Sequence, residues 1–135
     1  MLVVDAGCLF ELVAATPDAE PIRNRLADDQ EWAAPHAIDV EVYSVIRQQY
    51  RGGRLDLSAA TQAVAELAEW PGERFTHRLF LERAWELRDN LRGWDAMYVA
   101  LAEALEATLL TTDGRLSRAP GPRCQIECFA PSTPS

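Results

Sequence analysis

Short apolar runs, separated by longer amphipathic segments, are the feature that most constrains how this chain can fold. The first run is residues 2–4, LVV, and the clearest later run is residues 108–112, TLLTT. Between these runs, apolar residues recur at helical spacing, as at Ile38, Val42 and Ile46. Strands that alternate with helices predict a three-layer α/β/α sandwich, with helices on both faces of a mostly parallel central sheet.

The same pattern gives approximate limits for each element. The predicted strands are residues 2–4, 32–34, 74–77, 108–112 and 124–129. The predicted helices are residues 7–15, 36–49, 58–70, 79–91 and 94–107, with a further helix beginning after Asp18. We expect Ser58 to cap its helix, and Leu79 and Leu87 to be buried. The length of 135 residues suits one domain, which we place at residues 1–130 with a disordered tail at 131–135.

Charge and cysteine content limit the function classes. The net charge is −8, from 21 acidic and 13 basic residues, and all the basic residues are arginine. This excess at first disfavours nucleic-acid binding, because attraction to phosphate needs positive surface. The three cysteines lack zinc-site spacing, and the apolar N-terminal segment lacks the basic residues of a signal peptide, so we expect reduced thiols and a cytoplasmic location. No apolar run is long enough to predict a membrane-spanning helix.

Two aspartates directly follow the clearest buried strands. Asp5 comes after residues 2–4, and Asp113 comes after residues 108–112. Neighbouring parallel strands end at the same edge of a sheet, which is where ligands bind in folds of this class. Asp5 could instead be only a helix N-cap, and Asp113 only a turn residue in the T-D-G-R segment.

Two further carboxylates lie where a simple surface charge is not expected. Glu41 is three residues after Ile38 and four before Val45, so helical spacing places it within the apolar stripe of its helix. A carboxylate in that position needs a partner, and the nearest cations in the sequence are Arg47 and Arg51. Asp95 lies in the first turn of its predicted helix, where it could also serve only to complement the helix dipole.

Taken together, these four carboxylates are expected to meet at one edge of the sheet. Clustered anions repel one another unless they are protonated or bind a metal ion. A set of oxygen ligands without nitrogen or sulfur suits Mg²⁺, with Mn²⁺ as an alternative. Such ions activate water and stabilise the transition state of phosphate hydrolysis.

Four segments resemble the motifs of a known family in both order and spacing. They are VVDAGCLFELV, DVEVYSVIR, RDNLRGWDAMYVALAEAL and LLTTDGRL, and together they span nearly the whole chain. The chain therefore resembles the PIN-domain ribonucleases, in particular the VapC-type toxins of toxin–antitoxin pairs. The resemblance implies a PIN-like sandwich, hydrolysis of RNA phosphodiester bonds, a VapB-type antitoxin as partner, and a homodimer.

The resemblance also implies a role for each acid. Asp5 and Asp95 would be the principal Mg²⁺ ligands, while Glu41 and Asp113 would complete the metal site or orient the attacking water. All four would therefore be both catalytic and metal-binding. A basic residue of the antitoxin would enter the acidic pocket.

The chain departs from the family pattern at two positions. Gly7 and Arg92 stand where the family often has a hydroxyl residue. Thr111 or Thr112 could supply a hydroxyl beside Asp113, and Arg92 could approach phosphate or be solvated. The departures support an alternative, a catalytically degenerate PIN-fold binding or scaffold protein, whereas retention of all four acids argues against it.

Further candidates beside the acids also have simpler interpretations. Asn90 could cap a helix or hydrogen-bond the acidic group, and Arg115 could touch phosphate or be solvated. Trp94 adjoins Asp95 and could stack on an RNA base.

Overall fold

A single five-stranded sheet forms the centre of the molecule. The computed structural model describes residues 1–130, and the predicted tail at 131–135 lies outside them. The strands are β1 (Leu2–Val4), β2 (Trp32–Pro35), β3 (Glu73–Phe75), β4 (Thr108–Thr111) and β5 (Ile126–Cys128). Every pair of neighbouring strands is parallel, and their order is β3-β2-β1-β4-β5. The predicted mostly parallel sheet is thus confirmed, and within the described residues it is entirely parallel.

The order of the strands reverses between β1 and β4. From β1 the chain adds β2 and β3 on one side, and it then returns to place β4 and β5 on the other. In β1 and β4, Val4 pairs with Leu110, and the backbone N–H of Asp5 donates to the carbonyl of Leu110 at 3.0 Å. The reversal opens a crevice at the carboxyl ends of these two strands, which is the usual ligand site in sheets of this kind.

Helices cover the sheet in two layers, as predicted. The helices are α1 (Ala6–Val13), α2 (Ala19–Ala27), α3 (Ala37–Arg51), α4 (Leu57–Glu69), α5 (Leu81–Glu86), α6 (Gly93–Leu105) and α7 (Gly114–Arg118). Helix α1 packs against α2, α3 and α4, whereas α6 packs against α5 and lies across β1, β2 and β4. The apolar side chains of β1 and β4 are fully buried between these layers. None of the helices within residues 1–130 has the length and apolar character needed to cross a membrane.

The helix predicted at residues 79–91 is broken into shorter pieces. A 3₁₀ turn at Arg78–Phe80 precedes α5, which ends at Glu86. Because a 3₁₀ turn has three residues per turn, it changes which side chains face inward. Phe80 and Leu87 are buried, whereas Leu79 is 78% exposed, so the prediction that Leu79 is buried was wrong.

Two other local predictions also need correction. Helix α4 is capped by Asp56, whose carboxylate accepts from the N–H of Ala59 at 2.7 Å, and not by Ser58. Helix α7 was not predicted, because its five residues are too few to show a helical period.

The leucines at 79 and 87 provide a matched test of this core. We expect Leu87→Ala to lower the free energy of unfolding by about 2–5 kcal/mol, because Leu87 is only 2% exposed. Leu79→Ala should change it by no more than about 0.5 kcal/mol. Urea denaturation followed by circular dichroism measures both values. Equal losses in the two variants would contradict the broken helix.

Candidate active site

Asp5 is a buried carboxylate at the junction of β1 and α1. It is the N-cap of α1, and its Oδ1 accepts from the backbone N–H of Cys8 at 2.9 Å. Its Oδ2 accepts from the hydroxyl of Thr111, at the end of β4. Only 8% of the residue is exposed. The N-cap interpretation is therefore correct, and the same carboxylate also lies in the crevice between β1 and β4.

Asp113 follows β4 and begins α7. Its carboxylate accepts from the N–H of Arg115 at 2.9 Å, and its own N–H donates to the Thr111 hydroxyl oxygen at 3.0 Å. Thr111 thus accepts from the backbone of Asp113 and donates to the side chain of Asp5, and it is fully buried. One threonine hydroxyl links the two strand-end aspartates.

Glu41 is half-buried on α3 and has a partner on α6. The hydroxyl of Tyr98 donates to its Oε1 at 2.8 Å, although the two residues are 57 positions apart. Tyr98 is 2% exposed, so the bond is held within the packed interior. The nearest cations in the sequence, Arg47 and Arg51, are exposed instead. The partner that a carboxylate in an apolar stripe requires is therefore a tyrosine from the opposite helix layer.

Asp95 is half-buried in the first turn of α6, one turn before Tyr98. A small cavity of about 170 Å³ lies beside it, lined by both Asp95 and Asp113 together with Arg92 and Arg115. The two arginines are exposed at the rim of this cavity. A pair of acids is thus open to solvent on one side, with two cations beside it.

The electrostatics couple the four acids into one group. Burial raises the pKa of Asp5 to about 6, hydrogen bonds from Thr111 and Cys8 oppose the rise, and the charge of Asp95 adds to it. Burial also raises the pKa of Glu41; the Tyr98 hydrogen bond opposes this rise, while the charges of Asp5 and Asp95 add to it.

Asp95 connects this group to the fourth acid. Burial raises the pKa of Asp95 and the charge of Asp113 raises it further, whereas Arg92 and Arg115 lower it. The charges of Asp5 and Asp95 act on Glu41, and the charge of Asp113 acts on Asp95, so each of the four predicted site residues has another of them as an electrostatic neighbour.

Two other acids near these elements form ion pairs with arginines and are not part of the candidate site. Asp39 is two residues before Glu41, but it accepts from the Arg74 guanidinium at 2.9 Å. Glu103, on α6, pairs with Arg83 at 2.7 Å. These carboxylates have cation partners, whereas Glu41 is held by a neutral hydroxyl.

The donor set fits a hard divalent cation. Across residues 1–130, no three His, Cys, Asp or Glu side chains are arranged closely enough to hold one metal ion by themselves. Mg²⁺, however, commonly binds one or two carboxylates and keeps several of its waters. Two neighbouring carboxylates such as those of Asp5 and Asp95 would meet that smaller requirement.

Sequence reasoning missed part of what holds the acids in place. Tyr98 is three residues after Asp95, so it lies on the same face of α6, and this spacing was the available signal. Thr111 was a candidate for a hydroxyl beside Asp113. Its hydrogen bond to Asp5 was not predicted, because it depends on the register of two strands that are neighbours in the sheet but far apart in the sequence. Asn90 does not contact the acids through its amide nitrogen, which donates to the carbonyl of Pro120 at 2.7 Å.

A second, larger cavity lies away from the acids. Its volume is about 570 Å³, and residues of α1, α2 and α4 line it together with Trp32 and Trp70. None of the four acids contributes to its walls. We therefore place the chemistry at the smaller cavity, because two of the four acids line it and the pKa of one of them, Asp95, is raised by burial and by the charge of the other, Asp113.

Comparison with known proteins identifies the family of the chain. The model of the PIN domain family matches residues 2–122. Ribonuclease VapC3 of Mycobacterium tuberculosis is 41% identical over 119 residues, covering 87% of this chain and 86% of that protein. Ribonuclease VapC1 of the same organism is 34% identical over 126 residues, covering 93% and 95%.

A solved structure shows the same fold at low identity. The crystal structure of Mycobacterium tuberculosis VapC20, described as a sarcin–ricin loop cleaving toxin, superposes with a TM-score of 0.65 at 18% identity. The match covers 87% of this chain and 93% of the other.

The raised pKa of Asp5 predicts a pH-dependent effect of Asp5→Asn. Because burial favours the protonated form, this group stabilises the fold below pH 3.8, and the contribution is lost as pH rises through about 6. In chelator, Asp5→Asn should unfold like the wild type at pH 4. At pH 7.5 it should be more stable by up to about 3 kcal/mol.

Urea denaturation at the two pH values measures this difference. The exposed Asp89, changed to Asn, is the matched control and should show no such change. Equal stability of Asp5→Asn and the wild type at pH 7.5 would contradict a destabilising charge at Asp5.

Proposed function

The chain belongs to the PIN-domain family, with relatives named VapC ribonucleases, and from that premise we propose that it is the toxin of a toxin–antitoxin pair. Its reaction is the Mg²⁺-dependent hydrolysis of RNA phosphodiester bonds, with Mn²⁺ as an alternative ion. The observation that supports this proposal is the mutual electrostatic influence of Asp5, Glu41, Asp95 and Asp113, two of which follow the neighbouring strands β1 and β4. Fold membership alone would not specify chemistry, whereas a coupled carboxylate group does.

In this proposal Asp5 and Asp95 are the principal ligands of the ion. Glu41 and Asp113 complete the metal site or orient the attacking water. When bound, the ion lowers the pKa of a water molecule and stabilises negative charge on the phosphate. The repulsion among the acids is then offset by a bound cation, which gives their clustering a function.

The remaining residues of the site position these carboxylates. The Tyr98 hydroxyl holds Glu41, and the Thr111 hydroxyl holds Asp5 while accepting from the backbone of Asp113. These groups are fixed by the packed core before substrate arrives. Fixed dipoles of this kind require little reorganisation during the reaction.

Two exposed arginines provide positive charge with which this acidic chain could bind RNA. Arg92 and Arg115 lie at the rim of the cavity that contains Asp95 and Asp113. Their guanidinium groups can pair with phosphate oxygens next to the bond that is cleaved. The net charge of −8 therefore does not exclude RNA, because two arginines lie beside the acids and a bound cation would offset part of the negative charge. Trp94 is exposed beside Asp95, where stacking on a base would add affinity.

The proposal includes protein partners. A VapB-type antitoxin would place a basic residue in the acidic pocket, where it would neutralise the repelling carboxylates. A homodimer is also proposed, because Leu81 and Trp85 are exposed apolar side chains on α5 that a second copy could cover. The site of action is the cytoplasm, where the RNA substrate is.

Metal removal and single-site variants test the activity. We expect the purified protein to cleave structured RNAs, including a sarcin–ricin hairpin, in Mg²⁺ or Mn²⁺ and to stop in excess chelator. Asp95→Asn should lower the cleavage rate by about two orders of magnitude or more, since it removes a principal ligand. The control Asp89→Asn should cleave as the wild type does.

The pattern of results separates the proposal from its alternative. A folded wild type that cleaves no RNA in either metal, yet binds RNA or a protein partner, would instead be a degenerate PIN-fold binding protein. Cleavage that continues unchanged in chelator would contradict the metal site.

The rim arginines make a separate prediction about salt. Arg92→Gln and Arg115→Gln should each weaken RNA binding and reduce the slope of log affinity against log salt by about 1. Arg23→Gln is the control, because Arg23 lies on α2 and lines the larger cavity. Fluorescence anisotropy with a labelled RNA in the Asp95→Asn background measures binding without cleavage. Unchanged slopes would show that these arginines are only solvated.

A further inference from the structure

We propose that the hydroxyl of Thr112 is a substrate-contacting group of this site and donates a hydrogen bond to a phosphate oxygen of the RNA. The inference rests on the proposed function and assigns a substrate-binding residue to it. It also explains why residue 7 is glycine.

The space above Gly7 is already occupied by Thr112. A Cβ atom built on Gly7 would lie 2.1 Å from the Thr112 Oγ1 and 3.3 Å from its Cβ. The same point is 3.5 Å from Asp5 Oδ1. The Thr112 hydroxyl therefore packs against the first turn of α1, near the Asp5 carboxylate that caps this helix.

Glycine at position 7 carries a cost that this contact explains. A glycine is less favourable than alanine in an ordered segment, because it loses more backbone freedom on folding. Alanine at position 7 would place its Cβ against Thr112, at a distance that real Cβ contacts do not reach. A side chain at position 7 would therefore force the Thr112 side chain to move from its present position.

The two adjacent threonines have different environments. Thr111 is fully buried, and both its donor and its acceptor capacity are used by Asp5 and Asp113. Thr112 is only half-buried, and among residues 1–130 its hydroxyl has no hydrogen-bond partner. Thr111 is thus part of the fixed scaffold, whereas Thr112 has a donor available to a ligand.

A neutral donor has a specific use among four acids. Phosphate oxygens are repelled by the carboxylates, and a hydroxyl can approach them without adding negative charge or requiring a counter-ion. The hydroxyl can donate a hydrogen bond to a phosphate oxygen, and its own oxygen can still accept a hydrogen bond from another group. The Thr112 hydroxyl is placed to contact the substrate next to Asp5.

Two substitutions at Thr112 test the hydroxyl separately from the shape. Thr112→Val keeps the volume and removes the hydroxyl, whereas Thr112→Ser keeps the hydroxyl. We expect Thr112→Val to lower kcat/KM about 3- to 10-fold, as for loss of one neutral hydrogen bond, with an unchanged thermal unfolding midpoint. Thr112→Ser should remain within about twofold of the wild type. Equal activity of the two variants would overturn the proposal.

A positional exchange tests the shared space. Gly7→Ser alone should be less stable and less active, because its Cβ meets the Thr112 hydroxyl. Gly7→Ser combined with Thr112→Ala removes that hydroxyl and returns one from position 7, so stability and kcat/KM should recover. Thr112→Ala alone should remain as weak as Thr112→Val. A folded double variant with no more activity than Gly7→Ser would also overturn the proposal.

Direct RNA binding distinguishes failure of this inference from failure of the proposed function. In the Asp95→Asn background, Thr112→Val should weaken RNA affinity by a similar 3- to 10-fold and Thr112→Ser should not. If the wild type binds RNA without cleaving it, these affinities still decide the role of Thr112. If the wild type neither cleaves nor binds RNA, both the function and the inference are wrong.

Discussion

The hydrogen bond from Thr111 to Asp5 joins the two strands on which the site depends. It fixes the end of β4 against the end of β1, where the strand order reverses and a crevice opens. The same hydroxyl accepts from the backbone of Asp113, so the start of α7 is held by the same group. With this link in place, α6 across the sheet brings Asp95 and Tyr98 to the other side of the crevice, and Tyr98 holds Glu41.

The carboxylates that we propose to be functional lower the stability of the folded chain when they are charged. Burial and mutual repulsion raise the pKa values of Asp5, Glu41 and Asp95, so their charged forms are disfavoured in the folded chain. The close-packed apolar strands on both sides offset that cost, since β1 and most of β4 are fully buried. The acids are therefore held together mainly by the apolar core, which is the arrangement that the proposed cation site requires.

Sequence reasoning predicted the parts governed by local pattern. The runs before Asp5 and Asp113 are strands, and parallel order then requires both aspartates to be at one edge. The position of Glu41 in an apolar stripe predicted that its carboxylate needed a partner. The sequence did not identify Tyr98 as that partner, because Tyr98 is on a helix in the other layer. The break before α5 was missed because Leu79, Phe80 and Leu87 fit a continuous helix about as well as a 3₁₀ turn followed by a shorter helix.

The close approach of Gly7 and Thr112 has a consequence for the history of the sequence. A side chain at position 7 and the threonine hydroxyl exclude each other, so neither position is free to change independently. A lineage that exchanged them one mutation at a time would pass through either a collision or an empty space beside Asp5. In evolutionary terms we expect the two positions to be epistatic, because the effect of a substitution at one depends on the residue at the other.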